Sequence, residues 1–228
     1  MAAALDAVND ELRARGWQLL VHKTHHLDVV ASSALARAGF DPLCIHLDHI
    51  FDLERIAAEP PGVAAPEGIT FGAARREEAD IIGELSSRSY APFDRYQIDP
   101  LLPDDRAPEI YREWARNSVR GYANLVWVAR REEEPIGFAT FHRTEALEAA
   151  TGVVWWDFRL LGVSTAARGQ RLSWPLVDGA FRHIVTLGGQ RATSATNAVN
   201  APAQRLFRRF GAWIHTPIHT FRRDLTRD

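Results

Sequence analysis

The sequence predicts an α/β protein with a mixed sheet, organised as a small N-terminal α/β unit followed by a larger domain. Apolar residues make up 46% and charged residues 25% of the 228 residues, as in soluble globular proteins that bury a substantial core. Strand-like and helix-like patterns alternate along the chain. Residues 57–68 contain three prolines and two glycines, which do not extend a helix or a central strand. We therefore place the two units at residues 1–66 and 67–228.

The N-terminal unit is predicted to contain two helices and two strands. Gly16 and Gly39 end the helical patterns, and Leu43, Ile45 and Leu47 alternate onto one strand face. The helices are expected over residues 3–15 and 27–38, and the strands over 17–21 and 42–50. A unit of this size buries little surface by itself, so we expect it to pack on the larger domain.

The larger domain is predicted to run strand, helix, helix, hairpin, strand, helix, strand, helix, strand. Its most amphipathic helix has apolar residues at helical spacing between Leu176 and Val185. Strands are expected over 69–73, 125–129, 136–141, 153–163 and 191–196, with one or two more over 212–225, and helices over 77–87, 109–120, 175–187 and 200–210. Residues 92–108 form a loop with four prolines, which we expect to act as a lid or a substrate wall.

The composition argues against several classes of function. Lys and Arg (27) nearly balance Asp and Glu (29), so no overall field attracts nucleic acid or an anionic membrane. No apolar stretch approaches the ~20 residues that span a bilayer, and the N-terminus lacks a signal-peptide pattern. A single cysteine, Cys44, excludes an internal disulfide and a cysteine-built zinc site. We expect a cytoplasmic protein.

The histidines do not have a metal-binding pattern. His22, His25 and His26 cluster, and His46 and His49 form a second pair. A zinc site needs three or four converging ligands, and side chains three positions apart on a strand point to opposite faces. We therefore expect no metal site.

The end of the chain carries the most informative motif. Asn200 is placed to cap a helix, Pro202 lies in its first turn, and Gly211 ends it. The stretch from Asn200 to Gly211 resembles the last helix of the GNAT superfamily of acyl-CoA-dependent N-acyltransferases, which reads Asn-x-x-Ala-x-x-Leu-Tyr-x-x-x-Gly. The resemblance implies the GNAT fold and acetyl-CoA as cosubstrate.

One position of this helix departs from the family. The family tyrosine, which protonates the departing CoA thiolate in many members, is replaced by Phe207. The resemblance implies that Asn200 and Phe207 line the acyl-CoA channel, although Phe207 has no hydroxyl to donate. Other side chains could donate instead: Tyr90, Tyr96, His142, His215 or His219. An alkyl thiolate, with a pKa near ~8.5, also leaves tolerably without a positioned acid.

The loop before the amphipathic helix is a candidate anion site. The first turn of a helix leaves backbone N–H groups unpaired, and glycine lets that backbone approach a phosphate. The loop resembles the GNAT acyl-CoA motif Arg/Gln-x-x-Gly-x-Gly/Ala, with Arg171 and Ser173 in place of the last two small residues. The resemblance implies that the pyrophosphate is bound by Arg168, Gly169, Gln170, Arg171, Leu172 and Ser173. The alternative is an ordinary strand-to-helix loop with exposed arginines.

The strand over 153–163 is the second part of the predicted site. By resemblance, Leu161 and Val163 hold the pantetheine arm, and Asp157 occupies the position of a general-base carboxylate. Strict alternation would place Asp157, Arg159, Leu161 and Val163 on one face. An amine must lose a proton to attack a thioester, which suits a carboxylate. The alternative for Asp157 is an ion pair, with Arg159 or another partner.

These features predict an acetyl-CoA-dependent N-acetyltransferase that acts by direct attack of a small amine. Residues 111–121 and 135–138 resemble bacterial acetyltransferases that modify the 4-amine of dTDP-linked aminodeoxy sugars, which implies a nucleotide-linked amino sugar as acceptor. The alternatives are a non-catalytic acyl-CoA-binding domain, or an enzyme for an aminoglycoside or a protein N-terminus. No nucleic acid, membrane or metal is expected as a partner, and a homodimer is compatible with the sequence.

Overall fold

The computed structural model describes residues 2–89, 94–103 and 105–226. The strands are β1 (Leu19–His25), β2 (Asp41–Asp52), β3 (Ile69–Ala73), β4 (Leu125–Arg131), β5 (Glu134–Arg143), β6 (Trp155–Val163), β7 (Arg191–Asn197) and β8 (Trp213–Asp224). The helices are α1 (Ala2–Ala14), α2 (Val29–Arg37), α3 (Leu53–Ala58), α4 (Ala79–Ser87), α5 (Arg95–Ile98), α6 (Arg106–Asn117), α7 (Glu145–Thr151), α8 (Ser173–Thr186) and α9 (Ala201–Arg209).

All of these strands form one eight-stranded mixed sheet. Its order is β1-β8-β2-β7-β6-β5-β4-β3, and β6 and β7 are the parallel pair among otherwise antiparallel neighbours. The mixed α/β fold predicted from the sequence is therefore confirmed. The two N-terminal strands enter the sheet on either side of β8, and the region over 212–225 forms one strand. The division at residues 66 and 67 stays a prediction.

One face of the sheet packs against α8 and α9. The largest core cluster joins Phe51, Phe141 and Phe158 of the sheet to Phe181 of α8 and Phe207 of α9. These five rings are all less than 5% exposed. Burial of aromatic side chains at this density is worth several kcal/mol and fixes both helices against the strands.

The opposite face packs against α4 and α6 over only part of the sheet. Ile82 and Tyr111 from these helices contact Val128, Phe138 and Leu160 of the neighbouring strands. At the other end of the sheet, α2 packs on Phe221 of β8 through Leu35 and Ala38.

The parallel strands β6 and β7 separate after a short pairing. They pair over Trp155–Asp157 and Arg191–Thr193, and β6 then continues to Val163 without a strand partner on that side. Ser194 makes one further bond, from its hydroxyl to the Phe158 carbonyl at 2.8 Å. The sheet thus has a split beside Asp157.

A bulge in β6 corrects the predicted strand face. Phe141 pairs with Phe158 and Thr140 with Leu160, so that Arg159 is an extra residue in β6. Leu161 consequently packs on the α8 side, whereas Asp157 lies on the opposite face with its strand partner His142. The prediction that Asp157, Leu161 and Val163 share a face is wrong, because the bulge reverses the alternation between them.

Candidate active site

The predicted anion loop connects β6 to α8 and exposes unpaired backbone donors. A short turn over Thr165–Ala167 is followed by Gly169, which has φ of +81°. In this described stretch, the following N–H groups donate to no other group of the chain: Gly169, Arg171, Leu172, Ser173 and Trp174. Free N–H groups at a helix N-terminus form an anion-binding site.

A cleft of about 390 Å³ lies between this loop and α9. Five of the six predicted loop residues line it, together with Val163. Its full lining is Val163, Ala167, Arg168, Gly169, Arg171, Leu172, Ser173, Trp174, Pro202, Arg205, Leu206 and Arg209. Gln170 is directed away, since its side chain accepts a hydrogen bond from Arg131 at 2.7 Å and donates one to the Ala166 carbonyl at 3.1 Å.

The cleft carries four arginines, and none of them forms an ion pair with a carboxylate in the described part of the chain. Arg168 donates to the Arg88 carbonyl at 2.9 Å, and the Arg209 guanidinium lies 4.8 Å above the Trp174 ring. Four uncompensated positive charges beside free N–H groups favour a ligand with several phosphates.

The backbone of Arg171 explains how the loop tolerates its departure from the family motif. Arg171 has φ of +57°, the left-handed conformation that glycine adopts without strain. The chain therefore keeps the backbone geometry of a glycine at this position and places a cation there. The expected cost of left-handed φ at a residue with a Cβ is about 1–2 kcal/mol.

Asn200 has its predicted capping role. Its Oδ1 accepts from the Ala203 N–H at 3.2 Å, and its Nδ2 donates to the Thr196 hydroxyl at 2.9 Å. At the other end of α9, Gly211 has φ of +64°, and Arg55 donates to the adjacent Phe210 carbonyl at 2.6 Å. A Cβ on Gly211 would meet that guanidinium, the end of a flexible side chain that could shift, so the left-handed conformation is the main reason for glycine here.

Phe207 lies in the core. It is 4% exposed, and its ring contacts His49 edge-on at 5.0 Å and Phe51 at 5.2 Å between centroids. The His49 ring donates from Nδ1 to the Leu47 carbonyl at 2.9 Å, and burial lowers its pKa. Phe207 is absent from the lining of the cleft, whose α9 residues are Pro202, Arg205, Leu206 and Arg209.

Asp157 lies at the start of the split between β6 and β7. Its carboxylate accepts from Arg159 at 2.7 Å and from the Thr193 hydroxyl at 3.4 Å, and its side chain is 31% exposed. The ion pair with Arg159 that the sequence offered as an alternative is therefore present. Because the carboxylate keeps part of its surface open, it can still accept a proton.

Two further side chains complete the surroundings of Asp157. A terminal N–H of the Arg159 guanidinium donates to the Tyr122 hydroxyl at 3.2 Å. The Tyr122 ring lies edge-on to the His142 ring, with 5.0 Å between the ring centroids. Burial, followed by the charge of Arg159, lowers the pKa of His142 to about 4. Its buried Nε2 has no hydrogen-bond partner among the described residues.

The face that carries Asp157 continues as a polar surface over β7, β2, β8 and β1. We call this surface the polar face, and define it by Lys23, Cys44, His46, Asp48, Asp157, Thr193, Thr216 and Thr220. The Nδ1 atom of His46 lies 3.3 Å from the Thr220 hydroxyl on the polar face, whereas the His49 ring contacts Phe207 on the opposite face. The two histidines therefore lie on opposite faces of the sheet, as predicted. Burial, then the charges of Lys23 and Arg95, lower the pKa of His46 to about 4.

Part of the proline-containing loop covers the polar face. Helix α5 packs against β2, and the buried carboxylate of Asp99 pairs with Arg222 of β8. Tyr96 of α5 contacts Tyr111 of α6 and accepts a hydrogen bond from Arg95. Tyr90 and parts of the loop over 92–108 lie outside the described residues. His215 and His219 lie on β8, between β1 and β2 in the sheet.

Sequence reasoning missed several of these residues. Arg205 and Arg209 are four apart on the exposed side of α9, a spacing that places both on one helix face and could have indicated them. Asp48 and Lys23 gave no local signal, because only the order of strands in the sheet brings them to the face of Asp157.

Two properties of the described residues concern metal binding and membrane insertion, which the sequence was not expected to support. They contain no group of three or more His, Cys, Asp or Glu side chains arranged to hold a metal ion. Every helix that they form is too short or too polar to traverse a bilayer.

Residues 84–212 match the profile of the acetyltransferase (GNAT) family. The spore coat polysaccharide biosynthesis protein SpsD of Bacillus subtilis (strain 168) is 28% identical over 156 residues, which are 68% of this chain and 51% of SpsD. The chain therefore spans about half the length of this curated relative.

Solved structures share the fold at low sequence identity. A GCN5-related N-acetyltransferase from Sphaerobacter thermophilus superposes with a TM-score of 0.60 at 18% identity, covering 91% of this chain and 60% of that protein. A tandem GNAT protein from the clavulanic acid biosynthesis pathway gives a TM-score of 0.68 at 14% identity, covering 98% of this chain and 69% of that protein. At these identities the likeness concerns the fold.

Proposed function

The chain belongs to the acetyltransferase (GNAT) family, and from this premise we propose that it acetylates the amine of a nucleotide-linked amino sugar. As a family member it is an N-acetyltransferase of the acyltransferase class, with acetyl-CoA as the cosubstrate of the family. The single observation that carries the proposal is the split beside Asp157, which separates an arginine-rich cleft on one face of the sheet from a polar face on the other.

The cleft suits the nucleotide end of acetyl-CoA. The free N–H groups from Gly169 to Trp174 and the guanidinium of Arg171 would hold the pyrophosphate, with Arg168 beside it. Arg205 and Arg209 supply further charge from α9. Val163 at the cleft, with Leu161 preceding it on β6, would guide the pantetheine arm to the split, where β6 has backbone groups without a strand partner.

Asp157 would act as the general base on the acceptor side. The amine nitrogen forms the new bond to the thioester carbonyl carbon, its proton goes to the carboxylate, and the bond from carbon to sulfur breaks. The Arg159 and Thr193 contacts fix the orientation of the carboxylate. The thiolate leaves with a proton from water, since Phe207 has none to give.

The acceptor class rests on two likenesses. SpsD is described as a spore coat polysaccharide biosynthesis protein, which favours a sugar-related acceptor. Residues 111–121 and 135–138 resemble bacterial TDP-fucosamine acetyltransferase. The polar face, with its carboxylates, histidines and threonine hydroxyls, offers the hydrogen bonds that a sugar requires.

Release of free CoA thiol from acetyl-CoA tests the proposal over a panel of amines. We expect turnover with a dTDP-linked 4-amino-4,6-dideoxy sugar, and a fall in kcat of ~10²–10⁴-fold in Asp157→Asn at unchanged KM for acetyl-CoA. Asp178→Asn, a carboxylate on the α8 side that pairs with Arg182, is the matched control.

The outcomes separate the alternatives. Saturable binding of acetyl-CoA without turnover of any amine would favour a non-catalytic domain. Turnover restricted to aminoglycosides or to peptide N-termini would replace the acceptor class. An Asp157→Asn enzyme with full kcat would remove the proposed base while leaving the activity itself standing.

A further inference from the structure

The outer part of the polar face brings together two cations that lack carboxylate partners. Lys23 on β1 pairs with Thr220, which neighbours Cys44 and His46 on β2. Arg95 lies on α5, which packs against β2, and its guanidinium lies 4.2 Å over the Tyr96 ring. Neither forms an ion pair within the described residues. Lys23 is also the single lysine among the 27 Lys and Arg residues of the chain. Its compact ammonium group therefore differs from all other side-chain cations of this set, which are guanidinium groups.

The charges of Lys23 and Arg95 act on each other, and Asp48 and Asp157 offset part of the charge of Lys23. Burial, and then the charge of Arg95, lower the pKa of Lys23. The same two cations, after burial, lower the pKa of His46, so the imidazole between them stays neutral. Holding two like charges together on a partly desolvated surface costs free energy unless an anion joins them.

Asp48 lies between this cationic end and the split. It is half-buried on β2 and forms no hydrogen bond or ion pair in the described part of the chain. Burial raises its pKa, the charge of Lys23 acts in the opposite direction, and the charge of Asp157 adds to the rise. In the strand order, β2 is two steps from β6 and two steps from β1. At about 4.8 Å per step, Asp48 lies about 10 Å from Asp157 across the sheet, and the backbone of Lys23 lies about 10 Å beyond Asp48. Helix α5, which carries Arg95, packs over β2 between them.

We propose that Lys23 and Arg95 form an anion-binding subsite for the phosphate groups of the acceptor, with Asp48 contacting the part of the acceptor that lies between this subsite and Asp157. The proposal rests on the proposed function and narrows it, because it requires an acceptor with an amine at one end and phosphate at the other. A simple amine or a polycationic aminoglycoside would bring no anion to the two cations.

Chemical labelling of the single lysine tests the subsite without relying on turnover. An amine-reactive acetylating reagent modifies Lys23 and the N-terminal amine, which peptide mass spectrometry resolves. We expect dTDP to slow the labelling of Lys23 at least fivefold, and thymidine to leave it unchanged. CoA, whose phosphates belong to the cleft on the opposite face, is the control and should not protect Lys23. Equal labelling rates with dTDP and thymidine would overturn the subsite.

Kinetics of Lys23→Met give the second readout. We expect KM for the dTDP-linked amino sugar to rise at least tenfold, with kcat and KM for acetyl-CoA within twofold of the wild type, and Lys23→Arg to restore most of the affinity. An unchanged KM would overturn the subsite but not the function. Absence of wild-type turnover with this acceptor would overturn the proposed function, and the labelling result would still decide whether the anion site exists.

Discussion

The side chain at position 207 shows how one residue can keep its place in a motif and change its role. The family tyrosine is expected to point its hydroxyl at the leaving sulfur. Here the ring belongs to a cluster with Phe51, Phe158 and Phe181, and only 4% of the residue is exposed. An aromatic ring in such a cluster gains from edge-to-face contacts, and a hydroxyl would need a partner.

Phe207→Tyr should therefore destabilise the protein without accelerating it. We expect a loss of about 1–3 kcal/mol in the free energy of unfolding, the cost of burying an unpaired hydroxyl. Urea unfolding measures the loss, and CoA release measures turnover. Phe210→Tyr, at the C-terminal cap of the same helix and equally buried, is the control for the stability effect. A rise in kcat at full stability would instead place the ring beside the thiolate.

At the scale of elements, the sequence predicted the helices and strands whose bounds depend on local residue patterns. The strand over 69–73 has the predicted bounds, and α8 and α9 begin and end within two residues of theirs, because capping residues and apolar spacing are local signals. The short helices α3 and α7 were missed, since six or seven residues rarely form a helix without tertiary support. The bulge at Arg159 was missed for a similar reason, because it appears only when β6 is aligned with β5.

The two faces of α9 allow a prediction about the cleft. Arg205 and Arg209 line the cleft, whereas Arg208 is exposed on the same helix and does not. Arg205→Ala and Arg209→Ala should each raise KM for acetyl-CoA about tenfold or more, as expected for loss of a charge-assisted hydrogen bond to phosphate.

Arg208→Ala is the matched control for these variants and should leave KM for acetyl-CoA within twofold, with kcat unchanged in all three. An equal rise in KM for acetyl-CoA in all three variants would indicate that the arginines act through the overall positive charge of the surface. It would contradict direct contacts between acetyl-CoA and Arg205 or Arg209 in the cleft.

At the scale of the whole molecule, the proposed function requires one sheet to keep two charged ligands apart. Acetyl-CoA in the cleft and the acceptor on the polar face would approach the split from opposite faces. The arginines of the cleft would then not compete with Lys23 and Arg95 for the same ligand. The N-terminal strands are essential to this arrangement, because β1 and β2 carry Lys23 and Asp48 to the face of Asp157. Strand order in a sheet is a long-range property, which explains why the sequence alone did not place these two residues.

Two buried histidines, His46 and His142, give the whole fold a pH dependence. His46 and His142 have pKa values of about 4 in the folded protein, against 6.5 for an unperturbed imidazole. Between these values the unfolded chain binds more protons than the folded one, so acid favours unfolding. Stability from this source is complete above pH 6.5 and is lost as the pH falls to 4, by up to about 3 kcal/mol for each histidine. The raised pKa of Asp48 acts in the opposite direction and offsets part of the loss.

Urea unfolding at pH 7 and pH 5 measures this dependence. We expect a clearly lower free energy of unfolding at pH 5, and a smaller difference between the two pH values in His142→Gln, because that variant no longer carries the imidazole that must gain a proton on unfolding. His22→Gln removes an exposed imidazole from β1 and should keep the wild-type difference. Equal stability of the wild type at both pH values would mean that His46 and His142 take up protons in the folded state, and the polar face would then be open to water at both positions.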